Sequence, residues 1–277
     1  MATQDALGSA FRALHEQPNV FIIPNPWDIG SARMLEGLGF DALATTSSGF
    51  AHAVGRDDGE VTLDETIEHC RQLAEATNIP ISADLENCFG DSPEEVATCI
   101  RRVAETGIVG GSVEDFSNDP ANPIYDFNLS VERVTAAVEA ARNLPFPFTL
   151  TARAENLLRV DRDIDNTIRR LQAYEAAGAD VLYAPALKTL DEVRLISSSV
   201  SKPINVLAAS LKEYSVDELG EAGATRISIG GALARLMVSI LIKTVGEMRD
   251  NGTFTWLSDI APNTEIHQIM NRSAPKT

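Results

Sequence analysis

The stretch Ile79-Pro-Ile-Ser-Ala-Asp84-Leu-Glu86-Asn-Cys-Phe-Gly90 runs an apolar segment into two carboxylates one residue apart, and then into a glycine. On a strand, residues i and i+2 share a side, so this spacing predicts that Asp84 and Glu86 leave a strand end together. Two converging acids repel each other unless a proton, an arginine or a cation lies between them. A solvated acidic loop is the plain alternative. Glu114 and Asp115 follow another apolar run, Glu155 stands two residues past Arg153, and Asp57 and Asp58 share a loop. Carboxylate oxygens without thiolate or imidazole favour Mg²⁺ or Mn²⁺ over zinc. His15, His52, His69 and His267 show no metal-site spacing.

Arg153, set among acids at a strand end, reads either as a structural ion-pair partner or as a two-point clamp on a substrate carboxylate. Thr45-Thr-Ser47-Ser48-Gly49 is a turn, or a set of N–H groups and hydroxyls for an enolate or carboxylate oxygen. Gly230-Gly231 opens the last long helix, where a phosphate fits, although close helix packing explains the same glycines. His52 is assigned to the rim or the surface.

The elements that must position these groups announce themselves through glycine and proline. Gly39, Gly107, Gly178 and Gly223 each stand between a helical segment and an apolar run, as helix-stopping residues do. Pro18, Pro80, Pro147 and Pro203 open the other apolar runs, a position strands tolerate. The two kinds alternate, giving eight strands. Thr62-Leu-Asp-Glu65 and Ser92-Pro-Glu-Glu95 are capping boxes. Stripes such as Val96/Ile100/Val103 and Ile164/Ile168/Leu171 have helical spacing. Eight strand–helix units predict a (β/α)8 barrel, one domain over residues 1–277 with a C-terminal helical extension. An open doubly wound sheet is the alternative, but no G-x-G-x-x-G turn follows the first strand. Active groups are then expected at the C-terminal strand ends, where Asn25, Ser47, Asp84, Glu114, Arg153, Tyr183, Asn205 and Gly230 fall.

A formal charge of −17 argues against nucleic acid or an anionic membrane as partner. No apolar run reaches the length of a membrane span, and the N-terminus has no signal-peptide pattern. Cys70, Cys88 and Cys99 form no C-x-x-C pair and suit a reducing cytoplasm.

Taken together, these motifs resemble the isocitrate lyase / phosphoenolpyruvate mutase superfamily along nearly the whole chain. Asp84-Leu-Glu86-Asn-Cys-Phe-Gly90 is similar to its D-A-D-x-G-x-G segment, with Glu86 replacing the second aspartate. Gly55-Arg-Asp-Asp58 matches the G-x-x-D loop, Glu114-Asp115 the strand-four E-D, and Thr151-Ala-Arg153-Ala-Glu155 the A-R-T-D motif. Asn205 falls near a strand-seven asparagine. The resemblance implies Mg²⁺ held directly by Asp84, with Asp58, Glu86 and Glu114 acting largely through water. It also implies a 2-oxo or 2-hydroxy carboxylate bound to that metal, to the Ser47, Ser48 and Gly49 backbone and to Arg153. Catalytic weight then falls on Arg153, Glu114 and Asp58.

Two departures stand out. The loop Phe116–Asn128 has no lysine, cysteine or histidine where lyases of the family carry K-x-C-G-H, and Tyr183-Ala-Pro185 replaces their F-P-E. The expected activity is therefore a Mg²⁺-dependent lyase or decarboxylase acting through an enolate, with an unfamiliar general acid. C–P chemistry of the mutase or phosphonopyruvate hydrolase type is the alternative, and a non-catalytic 2-oxoacid binder a third. The segment Ala232–Lys243 is apolar on nearly every side, so it is expected to lie against another subunit. The resemblance suggests that this last helix is exchanged within a dimer of dimers.

Overall fold

The computed structural model describes residues 2–272. Gly39, Gly107, Gly178 and Gly223 take φ values of 96°, 97°, 101° and 103°, the left-handed region where a Cβ would clash. Each ends a helix as expected, and the chain turns there into a strand.

The chain opens with α1 (Gln4–Glu16), β1 (Phe21–Ile23), α2 (Ile29–Gly37), β2 (Leu43–Ala44), α3 (Ser47–Ala53) and α4 (Leu63–Ala76). Next come β3 (Ile81–Ala83), α5 (Pro93–Ala104), β4 (Gly110–Glu114), α6 (Phe127–Arg142) and β5 (Thr149–Arg153). The circuit closes through α7 (Asn156–Arg159), α8 (Ile164–Ala176), β6 (Val181–Tyr183), α9 (Leu190–Ser199), β7 (Ile204–Leu207), α10 (Val216–Glu221) and β8 (Arg226–Ser228). Two helices follow, α11 (Ala232–Asn251) and α12 (Asn263–Arg272).

All eight strands are parallel, in the order β1-β8-β7-β6-β5-β4-β3-β2. The seam between β2 and β1 is bridged by the Ala44 N–H, which donates to the Pro24 carbonyl at 3.1 Å. The molecule is thus a (β/α)8 barrel. Both expected capping boxes form, at Thr62 and Ser92. Asp28 with Ser31 and Ser215 with Glu218 add two more.

No element was expected before Pro18, yet α1 closes the N-terminal end of the barrel. Its Phe11 packs with Phe21, Ala42 and Val109, at or just before strand starts, and with Ile23 of β1. His15 meets Phe11 and Phe21 edge to face. At the other terminus, α11 buries only Ala234, while Leu236, Met237, Ile240, Leu241 and Ile242 stay exposed in the single chain. α12 returns to α2, where Arg33 donates to the Met270 carbonyl at 3.2 Å.

Candidate active site

A cavity of about 400 Å³ opens at the C-terminal strand ends and takes residues from or just after all eight strands. The strand expected to carry Asp84 and Glu86 stops at Ala83, so the shared-side rule for strands does not place these acids. They enter the cavity from a tight turn in which Glu86, Cys88 and Phe89 have φ of 50°, 61° and 57°. Such values are strained for residues with a Cβ and persist only where the surroundings impose them. Here the Glu86 carbonyl accepts the Glu114 N–H at 3.1 Å. Arg133 of α6 clamps the same turn, donating to the carbonyls of Asn87, Gly90 and Asp91 at 2.6 Å each. An arginine within a helical stripe carries no sequence signal for that role.

Asp84 is held from three sides. Its N–H donates to Thr45 Oγ1 at 2.8 Å, and its Oδ2 accepts the Ser47 N–H at 3.1 Å from the N-terminus of α3. Its Oδ1 lies 2.9 Å from Arg153 Nη1. Arg153 also reaches Glu114 Oε2 and Glu155 Oε1, both at 2.9 Å from Nη2. Burial opposes the arginine's charge, but Glu114, Glu155 and Asp84 outweigh it and hold the pKa well above the ordinary value. One guanidinium cannot neutralise three carboxylates. Burial is what pushes the Glu114 carboxyl up most, and Glu155 and Asp84 add to it against the pull of Arg153.

Glu86 is displaced towards neutrality, to about 7, first by burial and then by the charges of Asp84 and Asp58. Asp58 stands exposed on the rim, close enough to contribute. Among the described residues no three acidic, histidine or cysteine side chains converge as a ready-made metal cluster, because Arg153 stands between Asp84 and Glu114. The donors nevertheless fit a hard dication that keeps most of its water: Asp84 in the cavity wall, with Glu86, Glu114 and Asp58 around it. Such a cation would offset both the burial of Glu86 and the repulsion from Asp84 and Asp58 that push its carboxyl up.

Other candidates fall differently. Ser47 and Ser48 line the cavity, but the Gly49 N–H is taken by Thr46 Oγ1 at 3.3 Å in the α3 cap, and Gly49 is buried. Asp115 points away from the cavity: it accepts the Glu155 N–H at 2.8 Å, Arg170 Nη1 at 3.0 Å and the Tyr174 hydroxyl at 2.6 Å. It therefore fixes the backbone of Arg153's partner. Asn205 lines the cavity with both amide atoms engaged, Nδ2 on Ser228 Oγ at 2.9 Å and Oδ1 on Arg226 Nε at 2.9 Å. At Gly231 an added Cβ would stand 2.4 Å from Ser48 Oγ, so close approach of two elements accounts for that glycine. His52 is exposed and lies in a separate cleft.

Three residues in the wall were not singled out from the sequence. Arg159 lies over the Phe116 ring at 4.0 Å and 3.5 Å from Glu155 Oε2, at the rim. Arg226 and Thr151 lie deeper. Pro185 stands where the lyase glutamate is expected, and Tyr183, two residues before it, keeps its proton, since burial pushes the phenol up to about 12.

Comparison with known proteins gives a consistent picture. The family profile described as phosphoenolpyruvate phosphomutase matches residues 11–249. A crystal structure from Burkholderia cenocepacia, of a protein described as a lyase/mutase, superposes with a TM-score of 0.94 at 49% identity, covering 98% of this chain and 97% of that one. The 2-methylisocitrate lyase of Escherichia coli is 28% identical over 279 residues, 95% of this chain and 92% of the relative. At 19% identity and a TM-score of 0.85, phosphonopyruvate hydrolase, solved with oxalate and Mg²⁺, shares the fold over 98% of this chain and 95% of its own.

Proposed function

The chain belongs to the phosphoenolpyruvate phosphomutase family, a group of enzymes in the isocitrate lyase / phosphoenolpyruvate mutase superfamily. From that premise we propose that it is a Mg²⁺-dependent lyase cleaving a C–C bond of a small 2-oxo or 2-hydroxy carboxylate through an enolate. The observation that carries this reading is the Arg153 guanidinium held by Asp84, Glu114 and Glu155 in a cavity that also holds the uncompensated Glu86.

Asp84, with Asp58, Glu86 and Glu114 around it, would hold Mg²⁺, and the bound ion would supply positive charge to the developing enolate. The rest falls to the chain's own groups. Arg153, oriented by Glu155, brings its planar guanidinium to the carboxylate next to the breaking bond, which takes the place of one of the carboxylates now on it. Ser47 and Ser48 add hydroxyls, and Ser48 its N–H, at the start of α3, where the helix dipole favours negative charge; the Ser47 N–H is held by Asp84. These donors gain strength as charge builds, which is the condition for lowering a barrier. Tyr183 brings a protonated hydroxyl to the wall, two residues before Pro185, which replaces the lyase glutamate.

C–P chemistry is the second reading, favoured by the loop after β4. Its Asn118 lines the cavity at φ 62°, and Arg159, over the Phe116 ring of the same loop, offers a cation to a phosphoryl group. The apolar side of α11 supports pairing with a second copy in a dimer of dimers. Three free, buried cysteines suit a cytoplasmic setting, and no described helix is long and apolar enough to cross a membrane. Incubation with Mg²⁺ and a panel of 2-oxo acids, 2-hydroxy acids and phosphonopyruvate, followed by product analysis, separates the readings. A 2-oxoacid product from a C–C substrate supports the lyase, and phosphate or phosphoenolpyruvate from phosphonopyruvate supports the second reading. Binding without turnover across the panel would leave only a ligand-binding protein.

A further inference from the structure

The inside of this barrel is not packed with the bulky aliphatic layers usual in the fold. Small side chains such as Ala44, Ser82, Ser112 and Thr151 line it, and the cavity continues past them to Arg226 of β8. Arg226 is 5% exposed. Its Nε donates to Asn205 Oδ1 at 2.9 Å and its Nη2 to Thr151 Oγ1 at 3.0 Å, while Nη1 lies 3.2 Å from His15 Nε2. His15 Nδ1 is 2.8 Å from the Phe11 carbonyl, so Nδ1 carries the proton and Nε2 accepts from the arginine. Burial and the nearby Arg226 keep that imidazole neutral, with its pKa down at about 3.

Every partner of Arg226 is therefore neutral, and none of its hydrogen bonds reaches a carboxylate. Burial lowers its pKa only to about 10, so it is charged at neutral pH. A guanidinium has five N–H donors, of which these contacts use three. A buried charge with no counter-ion is costly, and an aliphatic side chain of similar size would fill the space without that cost. The strand register runs Arg153, Tyr183, Asn205, Arg226 across β5 to β8, so two cations bracket one side of the cavity.

We propose that the cavity floor is a second anion site, in which Arg226 binds a carboxylate. In the lyase reading, on which this assignment of the occupant rests, it receives the distal carboxylate of a dicarboxylic 2-oxo or 2-hydroxy acid while Arg153 holds the first. A free small carboxylate would satisfy the same chemistry.

Sodium formate titrated into the unmutated protein tests the site by itself. The Nε–H resonance of Arg226, assigned through its contact with the Asn205 side chain, should shift saturably. Lactate and malate, which differ by one carboxylate, then test the occupant by calorimetry in the presence of Mg²⁺. Malate should bind at least about tenfold more tightly, the scale of one charge-assisted contact. Arg226→Met should erase that preference and leave lactate affinity unchanged, and Arg226→Lys should restore part of it. An unmoved formate resonance, or equal weakening of lactate and malate in Arg226→Met, overturns the proposal. A formate response without binding of either hydroxy acid keeps the floor site and removes the lyase reading instead. If neither variant folds, the formate titration decides.

Discussion

Arg153 Nη1 lies 2.9 Å from Asp84 Oδ1, an ion pair between residues 69 positions apart that joins the end of β5 to the turn after β3. Both side chains are largely shielded from water, so the contact is stronger than a surface pair and costlier to break on one side. It also means that the acid most suited to a metal already carries one cation.

Asp84→Ala should abolish Mg²⁺ binding or weaken it severely, because a hard dication loses its direct anion. Glu86→Gln and Glu114→Gln should weaken it less. Calorimetric titration of Mg²⁺ with each variant checks the order; wild-type affinity in Asp84→Ala would remove Asp84 from the site.

Arg153→Lys keeps a charge but loses the planar two-point contact. With an active substrate in hand, transition-state stabilisation should fall by roughly 2–4 kcal/mol, much of it in kcat. A merely structural arginine would show the opposite pattern, a lower Tm with turnover per folded molecule unchanged.

Asp115→Asn leaves Arg170 buried beside a neutral amide and strips Tyr174 of a charged acceptor. Loss of one partner from a buried pair costs about 3–5 kcal/mol, so the denaturant midpoint should drop strongly. Arg153 should lose its alignment as well, since Asp115 holds the Glu155 N–H. An unchanged midpoint would show that the network is not under load.

Acid should destabilise the fold through His15, whose pKa falls from 6.5 to about 3 in the folded chain. Below pH 6.5 the unfolded chain takes up a proton that the folded chain refuses, so stability declines as pH drops towards 3. Between pH 7 and pH 5 this one group accounts for roughly 2 kcal/mol. Unfolding curves for wild type and His15→Gln should diverge at pH 7 and converge towards pH 5. Parallel curves would contradict the burial of that imidazole.

Light scattering at micromolar concentration should show an assembly larger than a monomer. Ile242→Lys, placed on the most exposed apolar position of α11 at 68% exposure, should shift it towards monomer. A monomeric wild-type protein would leave that apolar face without the proposed partner.

Local signals made the frame readable. A glycine that stops a helix or a proline that opens a strand acts on its own few neighbours, so the alternation of eight strands survives translation into one dimension. The same holds for the capping boxes at Thr62 and Ser92, whose bonds span three residues. Strand ends then brought Asp84, Glu114 and Arg153 to one mouth, whereas Asn205, expected there too, is the second residue of β7 and lies deeper, against Arg226. α1 escaped because its apolar stripe has meaning only once a barrel end exists for Phe11 to fill.

The sequence by itself thus determined the barrel, the acid-rich mouth and the family motifs, since each depends on period and near neighbours. Only the tertiary structure decided which groups meet there. Asp115 turns outward to Arg170 and Tyr174, Gly49 spends its N–H on a helix cap, and Arg153 rests among three carboxylates. Arg226 becomes the floor of a cavity because the residues facing it across the barrel are small. Those pairings are set by barrel closure and by the relative height of strands far apart in the chain, and no spacing along the sequence encodes either.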